Sequence, residues 1–125
     1  GPMHAYKIGQ ALSALVDQNI WIVASGNITH NLRDWHVAAS TNGQTPMYVN
    51  RFADEVNKQL LSRNFDALIH YRQHSAEGRQ AHPSEDHLLP LFVAIGAAGI
   101  GAQPQAFYRG VSDYVIAMDG YAFVN

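Results

Sequence analysis

Ile20-Trp21-Ile22-Val23-Ala24-Ser25-Gly26-Asn27 is the stretch that decides the fold class. Residues 20–24 are apolar without a break, and most are β-branched or aromatic. Such a run suits a strand covered on both faces, as in a parallel sheet. Ser25-Gly26-Asn27 follows at once and reads as a tight turn at the strand's C-terminal end. Open α/β sheets place their ligands at such ends.

Helical patterns surround this run. Ile8, Leu12, Leu15 and Val16 recur at helical spacing over Met3–Val16, and Asp17-Gln18-Asn19 stops the pattern. Thr29 to Val37 reads as a short helical or irregular stretch, and Ala38 to Pro46 as a loop. Phe52, Val56 and Leu60 mark an amphipathic helix over Met47–Leu61. Phe65, Leu68, Ile69 and Tyr71 mark a shorter one, followed by a polar loop from His74 to His82. Pro83-Ser84-Glu85-Asp86 has the features of a helix start: Ser84 can cap, and the acids suit the positive end of the dipole. This helix is predicted from Glu85 to Ala98, apolar nearly all round and therefore buried, ending at Gly99-Ile100-Gly101. The tail offers strands at Gln105–Arg109, Tyr114–Met118 and Tyr121–Val124, the last two joined at Asp119-Gly120 as a hairpin. The composite is α/β, a small central sheet with packed helices.

Composition narrows the partners. The 125 residues suit one domain that buries roughly two-thirds of its unfolded surface. Charged residues are 14% of the chain, below the roughly 25% usual for soluble domains, and 47% are hydrophobic. A net charge of −2 without a Lys/Arg cluster gives no footprint for nucleic acid. No apolar run reaches the roughly 18 residues of a membrane span; the longest, Leu88 to Gly101, is interrupted by Pro90 and glycines. The absence of cysteine excludes disulfides and thiolate metal sites. No signal peptide is visible, so a cytoplasmic location is expected. Gly1-Pro2 before Met3 reads as a scar of protease processing, so residues 1–3 are set aside and 4–125 are read as a single domain. Seven histidines, at 4, 30, 36, 70, 74, 82 and 87, stand out against the low charge.

Two clusters could carry chemistry. In Ser25-Gly26-Asn27-Ile28-Thr29-His30-Asn31 a buried strand delivers a glycine turn and then an imidazole, a group able to act as general acid/base or metal ligand. The plain alternative is that Asn27, His30 and Asn31 satisfy loop backbone groups. In His82-Pro83-Ser84-Glu85-Asp86-His87, two imidazoles and two carboxylates surround one helix start, a donor set that suits Fe(II), Zn or Mn. The alternative there is a capped helix with solvated acids and two loop histidines. His70 and His74 share a face only if their helix continues, and no Glu follows His70 as a zinc-protease motif requires. P-loop, nucleophile-elbow and dinucleotide fingerprints are absent.

SGNITHNLRDW, FADEVNKQLLSRNFDALIHYRQ, HPSEDHLLPLFVAIGAAG and SDYVIAMDGYAF occur in that order. Together they resemble the C-terminal half of class III extradiol ring-cleavage dioxygenases, in the DOPA 4,5-dioxygenase-like branch, from about Tyr6 to Phe123. The resemblance implies a single α/β domain with a central sheet, of which residues 4–125 are half. It implies a mononuclear non-haem Fe(II), with Zn in its place in some members, and cleavage of a catechol-type ring by O₂. His30 matches the family's active-site histidine, as acid/base or metal-site residue. His87 matches the histidine that completes the metal site. His82, Glu85 and Asp86 are then candidates to support the ligands, and Asn27 and Asn31 to orient His30. Family members are about twice this length, and their N-terminal half supplies two further metal-binding histidines, in HGSP-like and SAHW-like segments that this chain lacks. His30 and His87 alone fall short of a facial triad.

Two readings follow. In one, the chain is a subunit or fragment of an extradiol dioxygenase that needs an N-terminal-half partner for activity. In the other, it is a non-catalytic dimeric binding or structural domain with a vestigial or intersubunit metal site. An uncovered sheet edge and apolar face favour pairing in either case, so a homo-oligomer is expected. A hydrolase built on His30 and the acids lacks a nucleophile with an obvious base.

Overall fold

The N-terminal periodicity forms α1 (Pro2–Val16) in a computed structural model that describes residues 1–125. Gly1 caps it, and its carbonyl accepts from the Ala5 N–H. The buried face is Ala5 and Gly9, while Ile8 is 44% exposed. Leu12, Leu15 and Val16 of the expected stripe are half-buried, so Ile8 is the residue that the apolar spacing misplaced, and the closest packing is made through the small residues. α1 lies against α7 (Leu89–Ala98), and Gly9 and Gly96 face each other across the contact. A Cβ on Gly9 would enter the Val93 carbonyl, and one on Gly96 the Tyr6 carbonyl. Only glycine permits backbones this close.

The middle of the chain is helical. α2 (Leu32–Ser40) is capped by Asn31, whose side chain accepts from the Asp34 N–H at 3.2 Å. α3 (Met47–Leu61) buries Phe52, Val56 and Leu60, the stripe read from the sequence, together with Val49, and forms the spine of the core. α4 (Phe65–Ile69) and α5 (Tyr71–His74) are separated by a break at His70, so His70 and His74 share no continuous helix. The segment read as a polar loop contains α6 (Ala76–Ala81), because Ser75 caps it by accepting from the Gly78 N–H at 2.9 Å.

α7 begins at Leu89, four residues later than expected, and Ser84 does not cap it. The Glu85 carboxylate accepts instead from the Tyr71 hydroxyl at 3.1 Å, and the Glu85 carbonyl accepts from Leu88 and Leu89 N–H. The His87 carbonyl is claimed by the Asn27 N–H at 2.7 Å, so residues 86–88 form a turn rather than a helix. Phe92, Ile95, Gly96 and Ala97 are buried, but Leu91, Ala94 and Ala98 are only half-buried, so the helix is not covered all round.

The tail forms β1 (Gln103–Tyr108), β2 (Val111–Ser112), β3 (Ile116–Ala117) and β4 (Gly120–Val124). β1 pairs antiparallel with β4, from Gln103 opposite Val124 to Tyr108 opposite Gly120, and β2 pairs antiparallel with β3. The expected hairpin at Asp119-Gly120 is not formed. The Asp119 carboxylate accepts from Arg109 Nε at 2.9 Å and from the Gly110 N–H at 3.2 Å, which turns the chain towards β1. The hairpin lies one turn earlier, where Asp113 and Tyr114 take left-handed φ values of 51° and 66° between β2 and β3.

The molecule is thus α/β, with helices packed around two small two-stranded sheets. The expected buried strand at 20–24 takes no regular secondary structure and joins neither sheet. Trp21 is 91% exposed and Val23 85%. Apolar side chains give a strand its faces, but only a neighbouring backbone makes it a strand, and none in this chain reaches it. No helix is long and apolar enough to cross a membrane.

Candidate active site

The turn after the apolar run is fixed residue by residue. Gly26 passes so close to the entry of α7 that a Cβ would overlap the His87 carbonyl oxygen. Next to it, the Asn27 N–H makes the 2.7 Å bond to that carbonyl, and the Ile28 N–H donates to the Ala117 carbonyl of β3 at 3.0 Å. Thr29 is fully buried; its hydroxyl donates to the Val115 carbonyl at 2.7 Å and accepts from the Ala117 N–H at 2.7 Å. His30 N–H donates to the Ala81 carbonyl at 3.0 Å, and Asn31 Nδ2 to the Gln80 carbonyl at 2.7 Å. Residues 27–31 thereby join the end of α6, the entry of α7 and β3.

This docking brings the two histidines from separate motifs together. The rings of His30 and His87 stack with centroids 3.6 Å apart and planes 8° from parallel. Burial, and after it the neighbouring His87, lower the pKa of His30. His30 is therefore uncharged at neutral pH and able to accept a proton.

His82 lies beneath them, fully buried, between the rings of Phe52 and Tyr71 at centroid distances of 6.0 and 6.4 Å. Its Nε2 is 2.6 Å from the Ile28 carbonyl. A carbonyl only accepts, so Nε2 carries the proton; in the neutral ring Nδ1 is then the acceptor, buried without a partner. Burial pushes the pKa of His82 down to about 4, opposed by the bond to Ile28. Arg72 Nη1 donates to the His82 carbonyl at 2.7 Å. His82 thus holds the backbone two residues ahead of His30, a role that its place beside a loop proline did not disclose.

The other candidates lie apart from the ring pair. Glu85 is engaged by Tyr71 and, at 3.9 Å, by Arg72. Asp86 is exposed and makes no hydrogen bond or ion pair. Asn27 Nδ2 points to Met118 Sδ at 3.1 Å, and the Asn31 side chain is used by the α2 cap and Gln80. Both asparagines therefore hold His30 through the backbone rather than through its ring. Sequence reading missed Thr29; the one available signal was a hydroxyl between Ile28 and His30 in an otherwise apolar approach.

An apolar groove of about 790 Å³ reaches His87 of this pair. Its lining includes residues 20–24, Leu91 and Ala94 of α7, Phe107 of β1, and β4; Gly26, Asn27 and His87 stand at its polar end. The volume lies within the range of small-molecule sites.

A metal centre needs more donors than these residues bring together. No three His, Asp or Glu side chains lie close enough to hold an ion. The in-plane lone pairs of two parallel stacked rings run side by side rather than converging on one point. The chain's own residues therefore do not fit a complete metal site.

Three comparisons bear on this geometry. The family model described as the catalytic LigB subunit of aromatic ring-opening dioxygenase matches residues 1–120. A 4,5-DOPA dioxygenase extradiol of Mirabilis jalapa is 32% identical over 107 residues, covering 86% of this chain and 39% of that protein. The protein of the same name from Escherichia coli K12 is 33% identical over 97 residues, 74% of this chain and 34% of its own length. The crystal structure of an uncharacterized Escherichia coli K12 protein superimposes with a TM-score of 0.82 at 25% identity, covering 99% of this chain and 50% of that one. The chain spans half or less of the length of each of these proteins. With the match running over nearly all its residues, the chain belongs to the LigB family of aromatic ring-opening dioxygenases.

Proposed function

We propose that this chain forms one half of an extradiol dioxygenase site that opens a catechol-type ring with O₂. The observation that carries the reading is the stacked His30–His87 pair, whose His87 lines an apolar groove. The groove takes the flat ring by burying its faces against Leu91, Ala94 and the neighbouring apolar wall. His30, uncharged at neutral pH, accepts the proton of a ring hydroxyl and can return one later. His82 positions it through the Ile28 carbonyl. We assign Fe(II) as the metal of the completed site, with Zn as the alternative. His87, and with it the His30 imidazole, would face that centre, whose remaining donors lie outside these 125 residues.

The test is ring cleavage of catechol or DOPA with added Fe(II), with and without the N-terminal half of a relative. A yellow semialdehyde product is expected only when both halves are present. A His30→Gln variant in that complex is expected to lose about 100-fold or more in turnover, the usual size of one general acid/base contribution. A properly assembled pair of halves that yields no yellow product overturns the reading.

A further inference from the structure

We infer that Arg72 is a positioning residue of the candidate site. From α5, and with Tyr71 beside it, it clamps the turn of residues 82–87 so that His87 stands face to face with His30. Its kinetic consequence rests on the dioxygenase reading above; its geometry is read in the chain alone.

The turn that carries His87 has little of its own to fix it. None of the N–H groups of residues 84–87 donates a hydrogen bond to the backbone, and Pro83 has none to give. The carbonyls of Glu85 and His87 accept from residues beyond the turn: Leu88, Leu89 and Asn27. What remains is a pair of side chains from α5. Arg72 Nη1 donates to the His82 carbonyl at 2.7 Å, and its Nε lies 3.9 Å from the Glu85 carboxylate. The Tyr71 hydroxyl donates to that carboxylate at 3.1 Å and accepts from Arg72 Nη1 at 3.3 Å. One guanidinium fork therefore spans the turn from its first residue to its fourth. A lysine ammonium, a compact point charge, does not reproduce that span.

His82 is also where the other histidine is held. The Ala81 carbonyl accepts from the His30 N–H, and His82 Nε2 donates to the Ile28 carbonyl. Residues 81–82 are thus a common post. Residues 28–30 hang from it on one side, and the turn to His87 leaves it on the other. Rings stacked 3.6 Å apart and 8° from parallel tolerate little play between the two arms. Arg72 does not line the groove, so it acts through the turn and not on a ligand.

The experiment uses the whole chain and reads the rings directly by proton NMR. Each stacked imidazole lies in the ring current of the other, so the carbon-bound ring protons of His30 and His87 resonate upfield of those of exposed His4. Arg72→Met keeps the apolar stem and removes every donor; it is expected to move both sets most of the way back towards His4. Arg72→Lys should fall between. Tyr71→Phe keeps the ring against Phe52 and His82 but loses the bond to Glu85, and should move His87 in the same direction and less. Arg109→Met is the control, because that side chain is as exposed and has two carboxylate partners, Asp54 and Asp119. It should lower the melting temperature and leave both rings where they are. In the complex with the N-terminal half of a relative, Arg72→Met should lower turnover about 10- to 100-fold, as a slightly misplaced catalytic group does, with KM little changed.

Unmoved ring protons in Arg72→Met, or an equal movement in Arg109→Met, overturn the inference. Should Arg72→Met fail to fold, Tyr71→Phe carries the test, and unmoved His87 protons there overturn it. Rings that move as expected, in a chain whose assembled complex cleaves no catechol, leave the clamp standing and remove the proposed function. Ring cleavage by Arg72→Met at the parent's rate removes the positioning role and leaves the function.

Discussion

Residues 20–25 and 27–31 are adjacent in sequence and opposite in physical state. In the second segment each residue is tied to another element: to α7, to β3, to α6 and to the cap of α2. In the first, Trp21 and Val23 reach open solvent and the backbone of residues 21–25 is unpaired. Composition cannot be the cause, since the exposed segment is the more hydrophobic one. Hydrophobic side chains supply the driving force for burial, but an extended segment becomes part of a sheet only when a neighbouring backbone satisfies its N–H and C=O groups. The comparison separates a histidine platform that this chain builds from an apolar run that it leaves bare.

The largest break of that contrast is expected at Thr29. Thr29→Val keeps the shape but strands the Ala117 N–H and removes the donor to the Val115 carbonyl, both buried. The loss is about 2–5 kcal/mol in urea unfolding, one desolvated group weighing about 1–3 kcal/mol. Thr29→Ser, which keeps the hydroxyl, should lose far less. Equal losses in the two variants would mean that the platform is held by packing and not by this clip.

The next effect is a pH dependence carried by His82. Its folded pKa of about 4 lies below the ordinary 6.5, so the unfolded chain binds the proton more readily. The contribution is complete above about pH 6.5 and is lost as pH falls towards 4, up to about 3 kcal/mol in all. Melting followed from pH 7 to 4.5 should show this decline, and His82→Gln should flatten it while lowering stability at pH 7. A slope unchanged in the variant would place the acid sensitivity elsewhere.

The legible parts of the molecule were those decided by local pattern. The stripe Phe52, Val56, Leu60 gave α3 within its bounds, and Gly99 gave the end of α7. The two histidine motifs could be singled out by residue type, but nothing in their spacing says that the rings of His30 and His87 meet. That contact depends on the missing Cβ of Gly26 and on the carbonyl of His87, backbone facts without a side-chain signature. The closest contact of α1 was missed for a related reason: apolar periodicity marks large residues, whereas that contact is made by Gly9 and Gly96. The buried strand was misread because an unbroken apolar run supplies faces to bury but not the backbone neighbour that makes a strand. His82 was read as a candidate support for the ligands or as a loop histidine, since a core position supplied by α3 and α5 is invisible in the residues around it.

The smallest expected effect is the sharpest statement of the contrast. Trp21→Ser removes the largest side chain of residues 20–25, which a sequence reading would place in the core and assign a cost of about 3–5 kcal/mol. At 91% exposure it has almost nothing to lose inside this chain. The unfolding free energy should therefore move by no more than about 0.5 kcal/mol, as at an ordinary surface site. The variant should also be more soluble, since an exposed apolar patch is reduced. A measured loss of several kcal/mol would show that residues 20–25 are already packed in solution. The line between the finished platform and the bare run would then have to be drawn elsewhere.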